Sequence, residues 1–220
     1  MKAIAELVTL KAAGTWELID APEGVNVVGS KWVFRVKKDA AGNVIHYKAC
    51  LVAQGFSQVP GVDYFDTYAP VAWLTLIRTI LAFAAAEDLE TGQIDIKGAY
   101  LNGELTDDEV LYMKQPPGYA MKGPDGKVLT TCLYKSIYGL KQAGHQWYQK
   151  LVKIMMKLKF LRSEVDSAVF YRRDKLWKML IIILVHVDDC FIVGCPKSII
   201  QKFKVKIQKY VQITDLGDLH

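Results

Sequence analysis

The sequence predicts an α+β fold in which a sheet is covered by helices on one face. Two observations carry this prediction. Short runs that alternate apolar and polar residues, as strands do, stand beside amphipathic stretches with helical spacing, and from the middle of the chain onward their order is β-α-β-α-β-β-α. The chain has 220 residues, 51% of them hydrophobic, which allows one large domain or two small lobes with a sizeable core.

The first part of the chain is predicted to form a short helix and a small antiparallel lobe. Ala3–Ala12 is the helix, and Asp39–Asn43 has the Asp, Gly and Asn residues of a hairpin loop. Three runs alternate apolar and polar residues as strands do: Thr15–Ile19, Lys31–Lys37 and Val44–Ala53.

The middle of the chain is predicted to alternate between helix and strand. After Pro70 a helix is expected, with Thr75 as its N-cap. Its apolar stripe consists of Leu74, Ile77, Ile80, Leu81 and Ala84. Next follow, in order, a strand, a polar loop, a strand, a break and a turn: Gln93–Ile96, Asn102–Asp108, Leu111–Gln115, Pro116–Gly118 and Leu133–Tyr134.

The last part of the chain is predicted to contain two helices that flank paired strands. The first helix, Gln142–Leu158, directs Trp147, Leu151, Ile154 and Leu158 inward, and the second, Ser198–Tyr210, buries Ile200, Phe203, Ile207 and Tyr210. Between them, Ala168–Tyr171 pairs with Met179–Val187, and a strand at Phe191–Val193 ends at Gly194.

Two adjacent aspartates, Asp188 and Asp189, stand between the apolar runs Met179–Val185 and Phe191–Val193. Their charges repel, and placing them at the ends of two apolar strands is costly unless a cation binds between them. The pair therefore indicates either a divalent metal site or an exposed hairpin turn, in which aspartate is favoured. In the predicted layout Asp95 lies beside this hairpin. Three carboxylates favour a hard cation such as Mg²⁺ over zinc, and a pair of such ions serves phosphoryl transfer.

The net charge of +5 is modest, but the basic residues are unevenly distributed. The stretch from Gly126 to Ser163 contains no acidic residue, and a second basic cluster follows near the C-terminus. Such stripes suit a nucleic-acid backbone, and they also suit solvated helix faces. Their residues are Lys127, Lys135, Lys141, Lys150, Lys153, Lys157, Lys159, Arg162, Lys197, Lys202, Lys204, Lys206 and Lys209.

Cysteine spacing and hydropathy exclude several classes of protein. The four cysteines form no CxxC pair and no Cys/His ligand pattern, so neither a zinc site nor a disulfide framework is supported. The N-terminus lacks the apolar region of a signal peptide, and the longest apolar run, near Leu180–Val185, is too short to span a bilayer. We therefore expect an intracellular protein without a membrane partner.

Five ordered sequence blocks reveal a family resemblance. They are Gly29–Phe34, Leu51–Gln58, Asp95–Gly103, Tyr138–Gln142 and Val187–Asp189. Together they resemble the reverse transcriptases of Ty1/copia-type LTR retrotransposons, from about Thr15 to the last residue. The resemblance implies an RNA-directed DNA polymerase, a nucleotidyltransferase that extends a primer 3′-hydroxyl with deoxynucleotides.

The resemblance also implies a right-hand polymerase architecture with an antiparallel palm sheet backed by helices. Residues 1–92 would be mainly fingers, and residues 93–220 mainly palm with an interleaved fingers segment. The chain stops within the block Asp215–His220, so the thumb is expected to be absent. Weak activity is therefore expected of this chain alone.

Asp95, Asp188 and Asp189 fall on the family's catalytic triad, whose carboxylates bind metal, and the backbone carbonyl of Ile96 is a further expected ligand. The implied cofactor is Mg²⁺, as two ions, with Mn²⁺ as an alternative. The implied partners are an RNA or DNA template–primer, dNTPs and the rest of the retrotransposon polyprotein. The implied location is the cytoplasm, in a virus-like particle, or the nucleus.

Three residues match positions that bind the incoming nucleotide. Tyr100 matches the aromatic residue that excludes a 2′-hydroxyl, Gln142 matches a glutamine lining the nucleotide pocket, and Lys48 lies in the segment that meets the triphosphate. Without the resemblance, Tyr100 could be an aromatic residue of the core, and Gln142 could be a polar residue at the start of a helix. The residues expected to meet primer or template are His186, Lys141 and Lys150.

Four residues depart from the family pattern. Cys50 and His145 replace expected arginines, Gln54 replaces a lysine, and His186 replaces a tyrosine. A thiol cannot grip phosphate oxygens as the arginine fork does. Because the changes at Cys50, His145 and His186 each need one base transition, they support a second hypothesis. In it, the chain is a decayed retroelement remnant that at most binds nucleic acid or a partner.

Overall fold

The chain passes back and forth between two structural units in the computed structural model, which describes residues 2–106, 108–173 and 179–218. The first unit comprises Met1–Tyr68 and Tyr100–Trp147, and the second comprises Ala69–Ala99 and Tyr148–His220. These units do not divide at residue 92, and the assignment of fingers and palm stays a prediction. Asp107 of the predicted polar loop and the last two residues of the Asp215–His220 block lie outside the described residues.

The helices and strands largely follow the expected order. Short 3₁₀ turns occupy Gly55–Ser57 and Ala99–Asn102. Among the residues described, no helix is both long and apolar enough to cross a bilayer. In chain order the elements are α1 (Lys2–Ala12), β1 (Trp16–Ile19), β2 (Val27–Val28), β3 (Ser30–Lys38), β4 (Val44–Ala53), α2 (Leu74–Ala86), β5 (Glu90–Ile96), β6 (Leu111–Lys114), β7 (Thr130–Leu133), α3 (Ala143–Lys157), β8 (Leu161–Arg162), β9 (Val169–Arg173), β10 (Leu180–His186), β11 (Asp189–Cys195), α4 (Lys197–Ile207) and β12 (Ile213–Gly217).

The first unit contains a four-stranded sheet of order β1-β7-β6-β2 and the separate hairpin β3–β4. The predicted Asp39–Asn43 loop closes this hairpin, with the Asp39 N–H donating to the Asn43 carbonyl at 2.9 Å. β7 was not predicted, because three of its four residues are buried and the period of two is lost. Buried residues of α1, β4, β6 and β7 share one core cluster, which includes Leu10, Leu51, Met113 and Leu133.

The second unit is built on a six-stranded antiparallel sheet of order β12-β5-β11-β10-β9-β8. β10 and β11 form the predicted hairpin, and β11 pairs with β5 so that Asp189 lies opposite Asp95. The expectation that the strand carrying Asp95 lies beside the aspartate hairpin is confirmed. Gly194 lies within β11 and does not end it.

Helices cover both faces of this sheet, so the expectation of one covered face is wrong. Gly92 and Gly194 share the face packed by α4, since a Cβ added at either would meet Ile200. Phe191, which points to the other face because side chains alternate along a strand, packs in a cluster with residues of α2. The unbroken apolar run Leu180–Val185 indicated that both faces are covered, because a strand buried on both faces does not alternate apolar and polar residues.

Two details of the helices also differ from expectation. α2 begins at Leu74 with Trp73 as its N-cap residue, so Thr75 lies inside the first turn and is not the cap. Leu74 is exposed, although it was assigned to the apolar stripe. Tyr210 follows the end of α4 and is 43% exposed, so it is not a buried residue of that helix.

A buried lysine connects α4 with the edge strand β12. Lys204 is only 4% exposed, and its ammonium bonds the Asp215 carboxylate on β12. The hydrogen bond from Lys204 holds the pKa of Asp215 below its usual value. Since β12 pairs with β5 from Ile213 to Gly217, this ion pair supports the strand next to Asp95.

Asp215→Asn is expected to destabilise the chain at neutral pH and to have little effect in acid. A lowered folded pKa means that the pair stabilises above the unfolded pKa of about 3.9 and stops doing so as the pH falls through the folded pKa. We expect a loss of about 1–2 kcal/mol at pH 7, reduced because Asp215 is 43% exposed. Urea unfolding from about pH 7 to pH 3 measures this.

Asp218→Asn is the matched control, because Asp218 pairs with Lys197 at an exposed site. It should change the free energy of unfolding little at any pH. A loss for Asp215→Asn that is equal at both ends of the pH range would contradict the assigned role of its carboxylate.

Candidate active site

The candidate site lies at one end of the central strands of the second unit. Asp95, near the end of β5, and Asp189, at the start of β11, face each other in the antiparallel register. The Ile96 N–H donates to the Asp188 carbonyl at 2.8 Å, which fixes the hairpin turn against the end of β5. Asp95, Ile96, Asp188 and Asp189 are thus brought together as the sequence predicts.

A two-residue turn presents the acid pair. Val187 and Asp188 connect β10 to β11, and His186 pairs with Asp189. Val187 has a φ of 60°, whereas Asp188 has no positive φ; this pattern is typical of a type II′ hairpin turn. For a β-branched residue such a φ is strained, and strain of this kind concentrates at functional sites.

The surroundings of the acids show a concentration of negative charge. Cys190 directly follows the pair, and burial together with the charges of the Asp189 and Asp188 carboxylates raises the pKa of its thiol to about 12. Gln93 donates from Nε2 to Asp189 Oδ1 at 3.3 Å. The Lys97 ammonium lies 2.9 Å from Asp95 Oδ1. The Lys97 ammonium and the Gln93 amide therefore partly balance the negative charge of the acids.

The donors at this site fit a hard cation by their chemistry, because carboxylate oxygens are the ligands that Mg²⁺ prefers. Opposed Asp95 and Asp189, with Asp188 one residue away, supply such oxygens. Within the described ranges, however, no three His, Cys, Asp or Glu side chains are grouped so that they would hold a metal ion as they stand. Metal binding by these residues stays a prediction.

Tyr100 belongs to the first unit and packs against another tyrosine. Its ring meets the Tyr138 ring edge-on, with centroids 5.0 Å apart at 72°. Tyr100 is half-buried and packs on the core cluster of that unit. Its ring is thus held by its neighbours, as both a core role and a role against the sugar would require.

Gln142 is fully buried, just before α3. Its Oε1 accepts from Gln58 Nε2, and its own Nε2 donates to the Asp63 carbonyl, both at 2.9 Å. Gln58 Oε1 in turn accepts from the backbone N–H of Lys141 at 2.8 Å. These bonds match the structural interpretation of Gln142, and its role in a nucleotide pocket stays a prediction.

The basic candidates lie on both units. Lys48 is exposed on β4, opposite Arg35, and Lys141 is exposed before α3. In the second unit, Lys150 is half-buried on α3, and His186 is exposed at the end of β10. Lys48 and Arg35 thus place two positive charges side by side on the β3–β4 hairpin, and contact of Lys48 with a triphosphate stays a prediction.

Two of the residues that depart from the family pattern, Cys50 and His145, have surroundings that do not direct a positive charge toward a phosphate as the expected arginines would. Burial raises the pKa of the Cys50 thiol, so it is neutral at physiological pH and carries no charge toward a phosphate. The His145 ring places Nδ1 2.8 Å from the Tyr68 carbonyl and 3.6 Å from Asp66 Oδ2. The His145 ring is therefore engaged by its own unit.

Lys97, Gln93 and Val187 are site residues that the sequence analysis did not single out. A signal for the first two was present, because a period of two places Gln93 and Asp95 on one face of β5, and Lys97 follows two residues later. The positive φ of Val187 had no such signal, since a valine in a turn is uncommon.

Comparisons with known proteins agree with the sequence blocks. The profile of the family described as "Reverse transcriptase (RNA-dependent DNA polymerase)" matches residues 13–220. The chain is 41% identical over 218 residues to the retrovirus-related Pol polyprotein from transposon TNT 1-94 of Nicotiana tabacum, covering 99% of this chain and 16% of that protein. It is 36% identical over 207 residues to the one from transposon RE1 of Arabidopsis thaliana, covering 94% and 14%.

A solved structure of apo telomerase from Candida tropicalis, truncated from the C-terminal domain, is similar at a TM-score of 0.47 and 11% sequence identity. That similarity covers 98% of this chain and 55% of the telomerase chain. The two Pol polyproteins are far longer, and the chain spans only 16% and 14% of their lengths.

Proposed function

Because the chain belongs to the reverse transcriptase family of copia-type retrotransposon Pol polyproteins, we propose that it carries the nucleotidyl-transfer site of such an enzyme. The reaction is the attack of a primer 3′-hydroxyl on the α-phosphate of a dNTP, with release of pyrophosphate. The observation that carries the proposal is the register pair Asp95 and Asp189, with Asp188 in the adjoining turn.

In this proposal the residues of the second unit hold the reacting groups. Asp95, Asp188 and Asp189, with the Ile96 carbonyl, hold two Mg²⁺ ions, for which Mn²⁺ substitutes. The bound ions supply Lewis-acid stabilisation of the attacking and leaving oxygens. His186 and Lys150 of this unit, and Lys141 of the first unit, contact the primer and template.

The first unit supplies the nucleotide contacts. Tyr100, held edge-on by Tyr138, excludes a ribose 2′-hydroxyl, while Lys48 meets the triphosphate and Gln142 lines the nucleotide pocket. We assign fingers largely to the first unit and palm to the second. The partners are an RNA or DNA template–primer, dNTPs and the remaining polyprotein, in the cytoplasm or the nucleus.

A second candidate function is a decayed remnant that at most binds nucleic acid or a partner. The observation that favours it is the neutral, half-buried thiol of Cys50, where the family pattern places an arginine. His186, exposed beside the acid pair, replaces a tyrosine expected near the primer end.

Primer extension separates the two candidates. We expect the chain to extend a primed template weakly in Mg²⁺, and the double variant Cys50→Arg/His186→Tyr to extend it at least about tenfold faster, because an arginine fork restores charge-assisted bonds to the triphosphate. Asp188→Asn is the negative control. Extension by the unaltered chain at the rate of the double variant would contradict decay, and extension that persists in Asp188→Asn would contradict the proposed site.

A further inference from the structure

Lys97 places its ammonium directly on a carboxylate of the proposed site. Its Nζ lies 2.9 Å from Asp95 Oδ1, which is the distance of a charge-assisted hydrogen bond. The two side chains stand two residues apart, and the Lys97 N–H donates to the Gln212 carbonyl at 2.9 Å. β5 ends at Ile96 and Lys97 is the first residue of the turn that follows, so the ion pair joins the end of the strand to this turn.

The charge around Asp95 explains why an ammonium is held there. Asp189 lies opposite Asp95 on β11, and Thr214 lies opposite it on β12. Asp188 follows in the turn, so three carboxylates share one end of the sheet. Like charges directly opposite each other on paired strands are destabilising, and the Lys97 ammonium offsets part of that repulsion.

The ion pair is too exposed to serve mainly as a stabilising link. The Lys97 side chain is 55% exposed and the Asp95 side chain 32%, and pairs of this kind contribute little to folding stability. Lysine also has a flexible stem and an ammonium that releases a partner easily. Its main effect is therefore on the charge and availability of the Asp95 oxygens.

We propose that Lys97 is an internal counter-ion that competes with the divalent cation for Asp95. The inference rests on the proposed metal site. Without metal, the ammonium occupies Oδ1 and reduces repulsion among the acids. When a divalent cation binds, Lys97 leaves the carboxylate for solvent, so every binding event includes the breaking of this pair.

Mn²⁺ binding to the purified 220-residue chain tests the proposal without any need for catalysis. Free Mn²⁺ is titrated by electron paramagnetic resonance, for the unaltered chain, Lys97→Met, Lys97→Gln and Asp95→Asn. We expect both Lys97 variants to bind Mn²⁺ about fivefold more tightly, since a nearby positive charge and a competing bond are removed in a partly screened setting. Lys209→Met, which makes the same change in net charge at an exposed site of the same unit, should leave the affinity unchanged.

Two results overturn different claims. If Asp95→Asn abolishes Mn²⁺ binding but the Lys97 variants bind no more tightly than the unaltered chain, the counter-ion role is refuted and the metal site remains. If Asp95→Asn binds Mn²⁺ as well as the unaltered chain, or none of the proteins binds it, the metal site fails and the inference fails with it. Thermal unfolding in EDTA and in Mn²⁺ gives a second readout, with a larger Mn²⁺-induced rise expected for Lys97→Met.

Discussion

Asp189→Asn is expected to abolish primer extension while leaving the chain equally or more stable. The activity should fall on the order of 10³-fold or more, because the variant removes a proposed metal-binding carboxylate from the reacting centre. The free energy of unfolding should rise by up to about 1 kcal/mol, because Asp189 lies opposite Asp95 and the substitution removes a like-charge pair.

The opposite signs of the two effects are what make this prediction specific. Asparagine keeps an Oδ1 that accepts the hydrogen bond from Gln93, so the substitution removes charge with little change of shape. If Asp189 had only a structural role, Asp189→Asn would lower the free energy of unfolding. If function holds Asp189 next to Asp95 despite their repulsion, the same substitution raises it.

The measurement pairs primer extension with urea unfolding in metal-free buffer. Extension is measured in the Cys50→Arg/His186→Tyr background, where the signal is expected to be larger. Asp218→Asn, which removes an exposed carboxylate that pairs with Lys197, is the control and should change neither quantity appreciably. A clear loss of stability in Asp189→Asn, or extension retained within about tenfold, would contradict the assignment.

The arrangement of the acids could be predicted from the sequence because it depends on strand order. The apolar segments around Asp188 and Asp189 are long enough to identify a hairpin, and Gln93–Ile96 alternates clearly. The pairing of β5 with β11 then follows, because the apolar residues of both strands must be buried in the same sheet. Strands β2, β8 and β12 were missed because they are short or are defined only by their partners.

The surroundings of the acids depend on distant residues and could not be predicted in the same way. Gln142 is satisfied by Gln58, which is 84 positions away, and no local pattern shows that bond. The burial of Lys204 against Asp215 also has no local pattern, because lysine is usually exposed and is buried only when it is paired. Local sequence indicates where an acid stands, whereas long-range contacts decide which cation or amide faces it.

Gly139→Ala is expected to destabilise the first unit by on the order of 3 kcal/mol or more. Gly139 has a φ of +94°, a conformation that side chains with a Cβ rarely adopt. A Cβ built there would also lie closer than 3.0 Å to the Ala53 carbonyl oxygen and to a methyl group of Val52. The backbone cannot yield easily, because the Ala53 N–H donates to the Tyr138 carbonyl at 2.8 Å.

Gly42→Ala separates the two sources of this cost. Gly42 has a φ of +87° but nothing within 4 Å of an added Cβ, so its substitution should cost only about 1 kcal/mol. Urea unfolding of both variants measures the difference, and equal losses in the free energy of unfolding would contradict the clash.

The Cβ of Gly55→Ala would in turn meet the Gly139 carbonyl. The Leu51–Gln58 and Tyr138–Gln142 blocks therefore form one contact, in which two glycines let the end of β4 reach the turn that carries Lys141 and Gln142.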